Sequence, residues 1–456
     1  MSQALDECLS PKQVMRDADS LQHWGVDWTR SFPVAPSAVV FPESVDDVLA
    51  LVRLANAEGI PLVPSGGRTG LSGGAVASNG EVVVSFDRLN RILGFERADR
   101  LVTCQAGVVT QTLQAYAAEL GLFYPVDFAS SGSSQIGGNI ATNAGGIKVI
   151  RYGLTRDWVA GLRVVTGGGE LIDCNHGLVK NATGYDLRHL FVGSEGTLGF
   201  IVEADIRLTE PPEPQLVMVL GVQAFRDILA VLSRFQSAIR LSAFEFFSEL
   251  ALQKVTAHRR LPRPLAEAAP FYALIEFDES AMGSAAEVFE DCVSQGWVQD
   301  GVISQSESQA RNLWQLREGI SESIAGYTPY KNDLAVRISQ MPDFLDEVDA
   351  LVQQSYPEFE VCWYGHIGDG NLHLNILKPA GLAADKFYQR CHEISPRIFQ
   401  RVAARNGSIS AEHGVGLLKR DFLAYSRSDA ELSIMRSLKQ VLDPRQIMNP
   451  GKLLTN

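Results

Sequence analysis

The sequence predicts an α+β protein of two domains: a glycine-rich first domain, then a strand–helix domain that closes in a helical C-terminal segment. Three observations carry this. The chain has 456 residues, more than the roughly 250–300 at which a single core stops growing. Three glycine clusters, PSGGRTGLSGG from Pro64, GGNIATNAGG from Gly137 and GSEGTLG from Gly193, all fall in its first half. From about Gln215 the texture changes to strand–helix units such as LVMVLGV then AFRDILAVLSRF, and FYALIEF then SAAEVFEDCVSQG.

Each element follows in order. After a polar lead-in over 1–32, SAVVFPE reads as a strand, SVDDVLALVRLANAEG as an amphipathic helix with Ser44 as N-cap, and IPLVPS as a second strand, a βαβ-like opening. The glycine-rich domain runs over 33–212. The prolines of TEPPEPQ, 209–215, suit a linker, and the second domain runs over 213–456. From Ala383 the pattern is largely helical, ending in the turn-rich LDPRQIMNPGK.

Composition narrows the function classes. With 46% hydrophobic and 20% charged residues and no apolar run of about 18 or more, no segment reads as membrane-spanning. A net charge of −13 argues against nucleic acid or an anionic membrane surface as the main partner, while leaving room for self-association. Cys8, Cys104, Cys174, Cys292, Cys362 and Cys391 form no Cys-x-x-Cys pair, which suits a reducing compartment. The N-terminus has neither a secretory h-region nor the Arg-rich, acid-poor character of a transit peptide, so the expected location is cytoplasmic.

Glycines after a strand let backbone N–H groups cradle phosphate oxygens. PSGGRTGLSGG has neither the Walker A nor the Rossmann spacing, and taken alone it reads equally as a phosphate loop or a tight turn. Three such clusters in one domain fit a long dinucleotide touched at several points.

In GHIGDGNLHLN, from Gly365, the Asp369-Gly370 pair predicts a two-residue hairpin turn. That register sets His366 directly opposite His373 and puts Asn375 on the same face, at a spacing where two imidazoles can share one cation. A lone strand histidine is more often packed or hydrogen-bonded than ligating; an opposed pair shifts that balance. SISAEHGVG offers Glu412 with His413 beside it, and from the residues alone a third ligand and a polar strand end are equally good readings.

The glycine clusters, NATGYDLRHLFVGSEGTLGFIVEA and the terminal IMNPGK together resemble the FAD-linked oxidases of the vanillyl-alcohol oxidase (PCMH) type, over nearly the whole chain. The resemblance implies a two-subdomain, PCMH-type, non-Rossmann FAD-binding domain. An α+β substrate domain with an antiparallel sheet follows it, and the tail 443–452 returns to FAD. It assigns cofactor contacts to Ser65, Gly66, Gly67, Thr69 and Gly70, to Gly137, Gly138, Thr142, Asn143 and Gly145, to Glu195, Gly196 and Ile201, and to Asn449. Some members tether the flavin through a first-loop histidine; Arg68 follows Gly66 and Gly67 here, so FAD is expected to be noncovalent.

GHIGDGNLH and AEHGVG resemble the metal motifs of the branch that oxidises D-2-hydroxy acids. That resemblance implies a divalent cation, zinc foremost, on His366, His373 and Glu412, with His413 as base and substrate contact. Arg317 and Ser321 stand at i and i+4 on one predicted helix, and Lys331 enters a short strand. Members acting on D-2-hydroxyglutarate carry an arginine, a hydroxyl residue and a lysine in this arrangement. Arg317, Ser321 and Lys331 are thereby implied to hold the distal carboxylate, which must be paired once water is excluded, with Asn375 as a further substrate contact. Arg337 stands where the wider family commonly has proline. The implied reaction is oxidation of D-2-hydroxyglutarate to 2-oxoglutarate by hydride transfer to flavin N5, with electron-transfer flavoprotein as acceptor. The alternatives are a D-lactate, D-malate or glycolate dehydrogenase of the same family, and a non-catalytic flavin-binding module.

Overall fold

A computed structural model describes residues 2–455. The chain divides into two compact units, each with its own sheets: 2–146, 153–211 and 412–455 form the first, 147–152 and 212–411 the second.

In the first unit, strands Ala38–Val40 and Leu62–Ser65 both pair in parallel with Val82–Ser85, which lies between them. The helix Val45–Glu58 joins the outer two, as the βαβ reading expects. Its N-terminus is capped by Ser44, whose Oγ accepts from the Asp47 N–H at 3.1 Å, and it stops at Gly59 with φ +69°. Val48, Leu51, Val52 and Ala55 give it one wholly buried face. A second, five-stranded sheet is antiparallel throughout, in the order Ile92–Glu96, Leu101–Gln105, Gly199–Arg207, Val159–Thr166, Leu171–Cys174. One hydrophobic core runs between the two sheets.

The second unit is built on a seven-stranded antiparallel sheet. Its order is Val298–Ile303, Gln215–Val222, Phe271–Asp278, Leu241–Ser248, Glu360–His366, Asn371–Leu377, Tyr330–Ala335. Alternate residues point to opposite faces. Phe246 meets Phe225 of the helix Phe225–Ala238 on one face. Ala243, Phe247, Leu274 and Tyr364 form a core with Trp314, Leu316 and Ile320 on the other. Residues 147–152, which immediately follow the second glycine cluster, are fastened to this unit by ion pairs: Lys148 with Glu276, and Arg151 Nη1 with Asp278 Oδ1 at 2.6 Å.

Candidate functional site

The hairpin at GHIGDGNLHLN departs from the two-residue turn. Residues 367–370 form the loop, with Ile367–Asp369 in a 3-10 turn, and His366 pairs with Asn371 while Tyr364 pairs with His373. The cause is local. A two-residue Asp-Gly turn needs positive φ at both positions, whereas of the two only Gly370 is left-handed, at φ +86°. Ile367 is fully buried, and Gly370 lies against Val336, just past the strand Tyr330–Ala335, whose N–H donates to the Gly370 carbonyl at 3.1 Å. A Cβ at Gly370 would fall 2.4 Å from the Val336 carbonyl oxygen, so glycine is required there. His366 and His373 are therefore diagonal rather than directly opposed. The register error is two residues, and a slip of two keeps every side chain on its face.

His366 and His373 do share that face, their ring centroids 5.3 Å apart. His366 Nδ1 lies 2.8 Å from Oε1 of Glu245, a cross-strand partner that is 1% exposed. A carboxylate only accepts, so Nδ1 carries the proton and Nε2 is the nitrogen with a lone pair to offer a cation. His373 Nδ1 is 3.7 Å from Oδ1 of buried Asp333, which also accepts from Asn371 Nδ2 at 2.8 Å. Asp333 Oδ2 takes the N–H of Ala411 at 3.0 Å. Glu412 is the next residue along the chain. Two imidazoles with oriented nitrogens, backed by carboxylates, are a donor set suited to a divalent cation.

The same face carries the residues expected to meet a distal carboxylate. Lys331 pairs across strands with Asn375, and its Nζ donates to Ser321 Oγ at 2.9 Å. Tyr364 lies beside Ser321 and Asn375, and burial pushes its pKa up to about 12, so it is a neutral phenol at physiological pH. Arg317, 6% exposed at the end of the helix Glu307–Glu318, stacks over the Tyr364 ring at 4.8 Å. Its Nη2 lies 2.8 Å from Glu245 Oε2. Neither Nε nor Nη2 makes a hydrogen bond among the described residues. A buried guanidinium with a donor to spare is suited to an anion. Arg317, Ser321, Lys331 and Asn375 are brought together on this side of the sheet. Lys331 itself is exposed, but the protein around its amine disfavours the charge and lowers its pKa.

In the first unit the glycine positions differ in what they do. Ser65 ends a strand, fully buried, with Oγ donating to the Trp24 carbonyl at 3.3 Å. Gly66, Gly67, Thr69 and Gly70 follow it. A Cβ at Gly67 would lie 2.1 Å from the Ser133 carbonyl oxygen, and one at Gly137 2.6 Å from Ala106 Cβ, so both allow close packing within the protein. Gly138 has open space where a side chain would stand. It lies in the helix Ile136–Thr142, which ends at left-handed Asn143 with Gly145 just beyond. Thr142 Oγ1 bonds back to the Gly138 carbonyl at 3.1 Å, and Ile201 is buried in the strand Gly199–Arg207. Asn449 Nδ2 donates to the carbonyls of Gly74 and Glu195 at 2.9 and 2.7 Å. Its Oδ1 is a buried acceptor without a hydrogen bond among the described residues. An open glycine and an orphaned acceptor beside the loops fit a bound dinucleotide.

These loops also hold His413. Ser72 Oγ donates to the His413 carbonyl at 2.9 Å, and the Ser72 carbonyl takes the N–H of Leu417 and Leu418 at 3.0 and 3.1 Å. Glu195 accepts from the N–H of Val415 at 2.7 Å and of Gly416 at 2.8 Å. Burial raises the Glu195 pKa, opposed by those two bonds and by the Lys419 charge. The first and third glycine clusters therefore clamp the segment that carries Glu412 and His413, whose Oε1 and Nε2 are 3.6 Å apart.

Two family models match the chain: "FAD binding domain" over residues 36–175 and "FAD linked oxidases, C-terminal domain" over residues 211–453. The chain belongs to the FAD-linked oxidases. It is 58% identical, over 98% of its length and 97% of the relative's, to D-2-hydroxyglutarate dehydrogenase of Stutzerimonas stutzeri (strain A1501). It is 53% identical, over 99% and 96%, to the enzyme of that name from Xanthomonas citri pv. viticola. The mitochondrial D-2-hydroxyglutarate dehydrogenase of Bos taurus is 37% identical over 98% of this chain and 82% of its own. Among solved structures, p-cresol methylhydroxylase superposes with a TM-score of 0.76 at 15% identity, covering 99% of this chain and 95% of that one. Alkyldihydroxyacetonephosphate synthase gives 0.74 at 18%, covering 98% and 85%. These two likenesses establish the PCMH-type fold.

For this FAD-linked oxidase, the sequence reading missed Glu245, Asp333 and Tyr364. Tyr364 was within reach, since it stands two residues before His366 in a strand and so shares its face. Asp333 and Glu245 are set beside the histidines only by strand pairing. Among the described residues, Asp333 and His373 of the second unit offer metal-ligand atoms, as do Glu412 and His413 of the first. Among the described residues no helix is long and apolar enough to cross a membrane.

Proposed function

We propose that this FAD-linked oxidase oxidises D-2-hydroxyglutarate to 2-oxoglutarate. The observation that carries the reading is the cluster Arg317, Ser321, Lys331, Asn375 and Tyr364 on the same sheet face as His366 and His373. Two cations and three neutral donors suit a second carboxylate, which lactate and glycolate lack. The names of the bacterial and bovine relatives agree with it.

His366, His373 and Glu412 would hold a divalent cation, zinc foremost, which supplies Lewis acidity toward the substrate's carboxylate and hydroxyl. The glycine clusters would hold FAD noncovalently, and the flavin would supply the hydride acceptor for the C2 hydrogen. Arg317, Ser321 and Lys331 fix the distal carboxylate, and Asn375 orients the hydroxy-acid end. His413 takes the proton from the C2 hydroxyl, a task suited to imidazole because its ordinary pKa of about 6.5 lies near working pH. Ser72 and Glu195 hold the His413 backbone in place for that transfer. The external electron acceptor in this reading is electron-transfer flavoprotein. A cytoplasmic location completes it.

Removal of metal tests the cation. Dialysis against a strong chelator should abolish D-2-hydroxyglutarate turnover with an artificial electron acceptor while the oxidised-flavin spectrum persists, and added Zn2+ should restore the rate. Full turnover by protein shown to be metal-free would refute the cation's role.

A further inference from the structure

Glu245 is a buried carboxylate, 1% exposed, placed between His366 and Arg317. Its strand, LSAFEFFS over Leu241–Ser248, is buried at every position, and an apolar residue would be the inexpensive choice there. Buried ion pairs are frequently no more stabilising than apolar side chains of the same volume, so stability alone does not account for it. Each oxygen has one partner: Oε1 lies 2.8 Å from His366 Nδ1, and Oε2 lies 2.8 Å from Arg317 Nη2. Arg317 Nε makes no hydrogen bond among the described residues, so the ion pair at Nη2 anchors the guanidinium without saturating it.

We propose that Glu245 is a shared positioning residue: one oxygen fixes the tautomer of His366 for the cation, and the other fixes Arg317 for the distal carboxylate. Cation affinity and diacid selectivity are thereby set by one side chain. The inference rests on the substrate reading above for its Arg317 arm and on the donor set alone for its His366 arm. Both partners of Glu245 are donors, and a carboxylate offers each an acceptor. Glutamine offers one acceptor and one NH2 group, so it satisfies one partner at most and turns a donor toward the other. Aspartate keeps two acceptors on a shorter stem.

Full-length Glu245→Gln and Glu245→Asp proteins, purified with FAD, provide the test. Zinc affinity is measured by competition with a chromophoric chelator in the absence of substrate. Steady-state rates are measured with D-2-hydroxyglutarate and D-lactate. In Glu245→Gln, zinc affinity should fall by about 10- to 100-fold. The ratio of kcat/KM for D-2-hydroxyglutarate over D-lactate should fall roughly tenfold or more, mainly through KM. Glu245→Asp should recover part of both. A purely structural Glu245 would lower flavin occupancy and thermal stability in both variants while leaving zinc affinity and the substrate ratio alone, and that outcome overturns the proposal. Loss of zinc affinity with an unchanged ratio overturns the coupling. Should the wild type bind zinc yet be reduced by neither acid, the substrate reading fails by itself, and a zinc affinity that still falls in Glu245→Gln supports the His366 arm.

Discussion

Replacing His413 with alanine should leave a folded, flavin-bearing protein whose turnover of D-2-hydroxyglutarate falls by about two to four orders of magnitude, the usual contribution of a positioned general base. The anchoring of the segment makes this a clean substitution. Ser72 bonds the His413 backbone carbonyl, and Glu195 bonds the backbone N–H groups of Val415 and Gly416. None of these bonds uses the imidazole, so its removal leaves the loop tied down. Flavin absorbance and zinc content should match the wild type, and the loss should appear in kcat under saturating substrate. Near-normal turnover with both cofactors in place would show that the proton goes elsewhere.

The second large effect is on substrate choice. Lys331→Ala should reduce kcat/KM for D-2-hydroxyglutarate by about 10- to 100-fold, the range of a lost hydrogen bond to a charged group. The rate with D-lactate should change little, because a methyl group stands where the distal carboxylate would be. Equal losses on both acids would contradict the assignment. A pH signature accompanies it. The surroundings lower the Lys331 pKa from its ordinary value by disfavouring the charge, and only the charged amine pairs with a carboxylate. Binding help is therefore complete below that lowered pKa and is lost as pH rises through it, so KM should climb on the alkaline side. Lys331→Arg, charged throughout the accessible range, should flatten that climb.

Much of the site is legible in local sequence because local rules govern it. Alternation along a strand sets His366 beside Tyr364, and His373 beside Asn375, on one face. The four-residue loop broke the predicted register, yet the shift was even, so the shared face survived. The register was illegible because it depends on the burial of Ile367 and the packing of Gly370 against Val336. Distance along the chain hid the rest. Glu245 lies 121 residues from His366, and nothing in AFEFF distinguishes its carboxylate from a solvated one. Glu195 reads as part of a glycine cluster, whereas its carboxylate holds the loop of Val415 and Gly416, 220 residues further on. The clustering of 147–152 with the second unit has no mark in composition either; ion pairs to Glu276 and Asp278 reveal it.

Anaerobic mixing of the oxidised flavoprotein with D-2-hydroxyglutarate, L-2-hydroxyglutarate, D-malate, D-lactate and glycolate tests the central claim most directly, because flavin bleaching reports hydride transfer whatever the acceptor. D-2-hydroxyglutarate should bleach the flavin fastest, D-malate more slowly through its own distal carboxylate, and the L-enantiomer not at all. Bleaching by D-lactate or glycolate alone, with D-2-hydroxyglutarate inert, would contradict the account.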